Sequence, residues 1–250
     1  RQMCIRDSTL TFGTAGDPRV RIDESGNVNI TGILTATSFS GVEAGLSTDT
    51  VRNTSGGGGA GQRLSGSDAI DNTLLGFNAG TLVTTGDYNT ATGSYSVSST
   101  STGSQNTGIG YSCLALNTTA SHNTGVGANA LTDNTTGASN SALGRSALHA
   151  NTTGSNNTGT GYQALEKNTT GADNTAVGSN ALMTNTTGGS NVAVGKDALT
   201  ACTTGGYNVA IGLGVLKTIT TANSNVAVGY GALDCLLYTS DAADEGLGVD

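Results

Sequence analysis

From residue 72 to residue 234 apolar and polar positions recur with a period of seventeen, as in NTAVGSNALMTNTTGGS (174–190) followed by NVAVGKDALTACTTGGY (191–207). Ten units share the pattern N-T-A-V-G-x-x-A-L-x-x-N-T-T-G-x-x, the tenth being cut short. Position 1 is Asn in all ten, from Asn72 to Asn225, and position 5 is Gly in all ten, from Gly76 to Gly229. Position 14 is Thr in all nine complete units, from Thr85 to Thr221. A fixed short period with invariant turn residues is the mark of a solenoid, in which each unit is one coil and its neighbours supply its only core. Seventeen residues are too few for two helices, and the Val, Thr and Gly content favours strands. The pattern predicts an all-β fold, a parallel β-roll or β-solenoid of ten 17-residue coils.

Successive strand residues point to opposite faces, so the apolar positions predict the inside. Position 4 is apolar in eight units, among them Leu143, Val177 and Ile211, which places positions 2 and 4 inward. Position 9, Leu from Leu114 to Leu233, closes the same core. Position 12 accepts Asn, Val83, Cys202 and Ile219, a tolerance that suits an inward column. Asn134, Asn151, Asn168 and Asn185 are expected to stack there as an amide ladder. Parity continued to position 14 puts that Thr inward. Positions 3 and 5, Ala or Gly almost throughout, then face outward, where small residues let another backbone approach. Gly at position 5 alternatively supplies a positive φ for a turn. Only three apolar side chains per coil enter such a core, which favours association of several rolls into a homotrimer through the small-residue face.

Flanking segments differ from the repeat. Residues 20–45 alternate in polarity around the turn signal Glu24-Ser25-Gly26-Asn27, so residues 9–50 are expected to form an N-terminal β segment. Residues 51–71, with TSGGGGAGQRLSGS, read as a Gly/Ser-rich linker, with an irregular first coil as the alternative. At the two ends, RQMCIRDS and CLLYTSD (235–241) can be encoded by opposite strands of one short DNA. That is the pattern of translated sequencing-adapter DNA, so residues 1–8 and 235–250 are set aside from fold reasoning.

Composition removes several functions. The 250 residues carry 11% charged side chains and a formal charge of −8. The ten basic residues are scattered, which excludes a nucleic-acid surface. No run of about 18 apolar residues exists, so no membrane-spanning helix is expected. Gly108-Ile109-Gly110 and Gly159-Thr160-Gly161 begin like dinucleotide loops but lack the third Gly. His122 and His149 fall at variable positions and make no triad or metal set. Cys113 and Cys202 occupy different repeat positions five coils apart, which disfavours a disulfide. The acidic pair closest in sequence within the repeats, Glu166 and Asp173, is a poor candidate for glycan hydrolysis. The N-x-T sequons at Asn117, Asn134, Asn151, Asn168 and Asn185 are ladder positions first. Tyr111, Tyr162 and Tyr230, all at position 6, offer a sugar-stacking surface. No catalytic, cofactor or metal residue is assigned, and no enzyme activity is expected.

Units such as NTGVGANALTDNTTGAS and NTAVGSNALMTNTTGGS resemble the head repeats of trimeric autotransporter adhesins, in which an N-x-V-A-I-G strand recurs. The resemblance covers residues 72–234, with AVG at 193–195 and AIG at 210–212 as its most specific elements. The period of seventeen is longer than the head repeat. Similar repeats occur in phage tail fibres, and residues 20–45 look like segments that precede shafts in marine phage fibres. The resemblance implies a left-handed parallel roll, a homotrimer, and a place outside the cell, on a bacterial outer membrane or a virion tail. It implies a structural or adhesive fibre segment whose partner is a host-surface glycan or protein. An ice-binding solenoid is the alternative, suggested by the Thr columns at positions 13 and 14.

Overall fold

The computed structural model describes residues 10–14, 17–22, 28–30, 46–48, 52–64 and 68–233. The adapter-like ends, residues 1–8 and 235–250, lie outside the described residues, as does the turn Glu24–Asn27. The chain divides into two units, residues 1–42 and 43–250. In the first, β1 (Leu10–Thr14), β2 (Asp17–Ile22) and β3 (Val28–Ile30) form an antiparallel sheet in that order. Val20 pairs with Ile30 and Ile22 with Val28, the hairpin that the alternation around residues 24–27 predicts.

The second unit is a β-solenoid of about ten turns. Its sheet begins with β4 (Leu46–Thr48), which pairs antiparallel with β5 (Thr54–Gly56). From β5 the strands run parallel, one per coil: β6 (Thr73–Leu75), β7 (Thr90–Thr92), β8 (Thr107–Ile109), β9 (Thr124–Val126), β10 (Ser141–Leu143), β11 (Thr158–Thr160), β12 (Thr175–Val177), β13 (Val192–Val194), β14 (Val209–Ile211) and β15 (Val226–Val228). Each strand covers repeat positions 2 to 4, and registers advance by whole periods, Thr158 against Thr175 and Val192 against Val209. Part of the Gly-rich stretch 51–71 belongs to this sheet. Thr54 pairs with Thr73, and Asn53 is buried beside Asn72, because Asn53, Thr54 and Gly57 supply the same Asn, Thr and turn Gly as every later coil.

The facing of the strand is the reverse of the sequence expectation. Position 3 is inside: Ala142, Ala176, Ala193 and Ala210 are buried, whereas Leu143 and Val177 at position 4 are 53% and 38% exposed. Positions 8 and 9 fill the rest, with the leucines from Leu114 to Leu216 fully buried. The reason is thickness. A Cβ placed on Gly159 would already stand 3.3 Å from Leu148 Cγ and 3.2 Å from the Ala164 carbonyl oxygen, so a coil this narrow holds one large side chain facing one small one. The first repeat unit inverts the pair, with Leu74 at position 3 and Gly80 at position 9, where an added Cβ would stand 2.6 Å from the Leu74 methyls. The β-branched residues meanwhile sit on the outer face, where strand geometry still suits them.

Gly at position 5 has φ near +130°, for example +130° at Gly161, and a Cβ there would lie 2.6 Å from the Gly178 carbonyl oxygen. Both the turn and the close-approach reasons apply, and the approaching backbone is that of the next coil. Beyond position 5 the chain leaves the extended region: positions 7, 9 and 17 have positive φ, as in Asn129 (59°), Leu131 (52°) and Ser139 (59°). Left-handed residues with side chains cost about 1–2 kcal/mol each. Burial of the leucine and a hydrogen bond to the adjoining coil, Leu131 N–H to the Ala147 carbonyl at 3.0 Å, offset that strain.

Two buried asparagine ladders line the corners. At position 12 the expected ladder is present, with Asn151 Nδ2 donating to Asn134 Oδ1 at 2.7 Å and Asn168 Nδ2 to Asn151 Oδ1 at 2.8 Å. At position 1 each amide works twice. Asn157 Oδ1 accepts from the Asn174 main-chain N–H at 3.0 Å, and Asn157 Nδ2 donates to the Gly171 carbonyl at 2.8 Å. The second ladder holds strand to corner in each of the nine complete units, from Asn72 to Asn208, which explains an Asn that never varies.

Candidate functional site

Three outer surfaces result from this coil. The first is the strand face. Positions 2 and 4 of the ten repeat units present twenty side chains, all Thr, Ser, Val, Ile or Leu, with no charge among them. The described charged side chains of these units lie in the turns, for example Arg145, Glu166, Lys167, Lys196, Asp197 and Lys217. Positions 2 and 4 each recur at one strand spacing, about 4.8 Å, so the face extends about 48 Å over ten coils.

The second surface is the Thr corner. Position 14 is exposed, as at Thr136 and Thr170, contrary to the parity expectation, because the chain there bends and strand alternation no longer applies. Position 13 is half-buried and its hydroxyls are already engaged: Thr135 Oγ1 donates to the Thr152 carbonyl at 3.0 Å, and Thr186 Oγ1 to Thr203 at 3.0 Å. The corner therefore presents one outward Thr column, at position 14, beside a second that is tied to the backbone.

The third surface follows the turn Gly. Here the three expected tyrosines are not brought together. Tyr111, Tyr162 and Tyr230 stand in the third, sixth and tenth units, separated by about 14 Å and then about 19 Å along the axis at one strand spacing per coil. Tyr162 lies instead beneath Arg145, whose guanidinium carbon is 5.7 Å from the ring centre. Tyr111 joins two residues that the repeat reading passed over. Phe77 and Tyr95 meet edge to face at 5.5 Å, and Tyr95 meets Tyr111 edge to face at 6.3 Å. The signal was available in the spacing: 18 and 16 residues straddle the period of seventeen, so positions 6, 7 and 6 of successive units meet.

The remaining candidates stay apart or inert. Gly108 and Gly159 lie in strands β8 and β11, with turn residues rather than a helix after Gly110 and Gly161. His149 Nδ1 stands 3.9 Å from Asp133 Oδ2 on the surface, and His122 is elsewhere, at position 17. Among the described residues no group of three His, Cys, Asp or Glu side chains could hold a metal ion. Glu166 accepts a hydrogen bond from Gln163, and Asp173 accepts one from Asn156. The sequon asparagines from Asn117 to Asn185 are fully buried, so the folded chain shields them from modification. Cys113 and Cys202 are free and buried. Burial pushes the Cys113 thiol up to about 12 and raises that of Cys202, which keeps both protonated and unreactive. No helix among the described residues is long and apolar enough to cross a membrane. Comparison of the chain with known protein families, with curated proteins and with solved structures finds no match in any of the three.

Proposed function

We propose that this chain is a non-enzymatic segment of a trimeric surface fibre, a bacterial adhesin head or phage tail fibre built of left-handed rolls, that projects toward a host surface. One observation carries the reading: the uncharged outer face of positions 2 and 4 in every unit. Twenty side chains without a charge match the 20–30 residues that a standard interface uses on each side, and depletion of charge is what distinguishes the centre of such interfaces. Parallel copies in register would repeat the same contact at each coil, and cyclic closure would leave no copy with an open face. Of the two small-residue columns that suggested the trimer, position 3 is inside the coil and position 5 packs against the backbone of the next coil, so neither argues for it.

Light scattering of the full chain tests this. Three chains of 24.6 kDa should give a mass near three times that value, and a folded monomer would refute the trimer. In that event a thermal hysteresis assay would decide for or against the ice-binding alternative, which rests on the Thr columns at positions 13 and 14.

A further inference from the structure

Phe77, Tyr95 and Tyr111 form a continuous aromatic strip on three successive coils, 53%, 40% and 56% exposed, with ring centres 5.5 and 6.3 Å apart. Rings of this size usually bury their faces in a core, and an exposed apolar cluster marks a place where something docks. The strip does not repeat: positions 6 and 7 in the next unit are Ala128 and Asn129, and in the seventh Ser179 and Asn180. A contact between copies of a repeat would recur at every coil, so a feature confined to three coils points to a discrete ligand. Its neighbours in the same two columns are Asn78, Ser94 and Ser112, and these columns carry no charge in the first four units. Charge returns only later, at Arg145, Lys196 and Asp197.

We infer that the strip formed by Phe77, Tyr95 and Tyr111 is a binding site for an uncharged saccharide chain lying along the solenoid axis. The inference rests on the reading of the chain as an adhesive fibre segment and gives that reading its contact point. The C–H face of a pyranose ring is apolar and weakly positive, which suits the electron-rich face of Phe or Tyr. Its hydroxyl edge requires neutral donors and acceptors, which Asn78, Ser94 and Ser112 provide. An anionic glycan would find no cation in these columns until Arg145. A shallow strip holds a single chain weakly, and three strips on one fibre would convert weak contacts into firm attachment to a dense glycan surface.

The test is titration of the full chain with three neutral linear hexasaccharides, of glucose, galactose and mannose, read by tyrosine fluorescence because the chain has no Trp. At least one should bind at millimolar concentration. Tyr111→Ala and Tyr95→Asn, residue types already present at these positions in Ala128 and Asn129, should each weaken that binding about five- to tenfold with unchanged circular dichroism. Tyr162→Ala should leave it unaltered. Binding of none of the three, binding indifferent to both strip substitutions, or binding only of a sialylated hexasaccharide overturns the proposal. Sedimentation of the same samples separates the two readings. A monomer that binds through these rings refutes the trimer and leaves the site standing, whereas a trimer that binds no neutral hexasaccharide does the opposite.

Discussion

Replacing Asn151 by Val and Asn185 by Val is the same chemical change in the same column, yet the two should differ widely in cost. Val fits position 12, as fully buried Val83 shows, so neither variant suffers a clash. In Asn151→Val two buried hydrogen-bonding groups lose their partners: Asn134 Oδ1, which accepted from Asn151 Nδ2 at 2.7 Å, and the one Asn168 Nδ2 hydrogen that donated to Asn151 Oδ1 at 2.8 Å, the other staying on the Gly171 carbonyl at 2.9 Å. The Gly154 carbonyl keeps its bond from Asn140 Nδ2. Asn185 stands at the end of the ladder because the next unit has Cys202, and Asn185 Oδ1 is buried without a partner. Asn185→Val removes that orphan and creates one at Asn168 Oδ1, leaving the number unchanged. The Gly188 carbonyl keeps its bond from Asn174 Nδ2. At about 1–3 kcal/mol per unpaired buried group, Asn151→Val should cost about 2–6 kcal/mol more than Asn185→Val. Urea denaturation followed by circular dichroism on both variants measures the difference. Equal destabilisation would mean that the column is held by packing and not by a hydrogen-bonded amide ladder.

Three further outcomes follow from the coil. Leu74→Ala should destabilise by about 2–5 kcal/mol, and adding Gly80→Leu, the residue type at position 9 in later units, should recover most of the loss; a double mutant worse than the single would contradict the shared cavity, with thermal melting as the readout. Deleting residues 157–173 removes one whole period and should shorten the roll by about 4.8 Å with modest loss of stability, whereas deleting residues 157–164 breaks register and should cause aggregation; equal harm from both would refute the 17-residue coil. Cys113 holds its proton to about 12 in the folded chain against an ordinary value of 9.0. Its folded pKa is raised, so its contribution is complete below pH 9 and is lost as pH rises toward 12. Stability should therefore fall about 1 kcal/mol between pH 9 and pH 10 in the wild type relative to Cys113→Ala, the residue at that position in Ala130 and Ala147, and parallel pH profiles would refute it.

The period, the strand at positions 2 to 4 and the inward asparagines of position 12 were legible in the sequence, because each is a one-dimensional repeat. Facing was not, because the rule that apolar residues lie inside fails when a coil is too thin to hold Val opposite Leu. A correct signal did exist: the one large residue at position 3, Leu74, occurs in the unit whose position 9 is Gly80, a volume exchange that only a shared core requires. Parity failed at Thr136 for another reason, since it describes extended chain and positions 7, 9 and 17 are left-handed. Glycine content suggested a linker at residues 51–71, although Asn53, Thr54 and Gly57 already spelled the start of a coil. The aromatic strip was hidden because Tyr95 is displaced by one position from Phe77 and Tyr111, and counting within a single column passes over it.

Sedimentation equilibrium on the wild type and on a variant carrying Leu143→Lys, Val177→Lys and Ile211→Lys tests the central claim, that copies meet through the uncharged strand face. All three residues are exposed in the single chain, so the variant should fold with an unchanged circular dichroism spectrum. Three buried charges at each of the contacts between copies would oppose association by several kcal/mol. The account predicts a trimer for the wild type and a folded monomer for the variant. A wild type that sediments as a monomer, or a variant that remains trimeric, would contradict it.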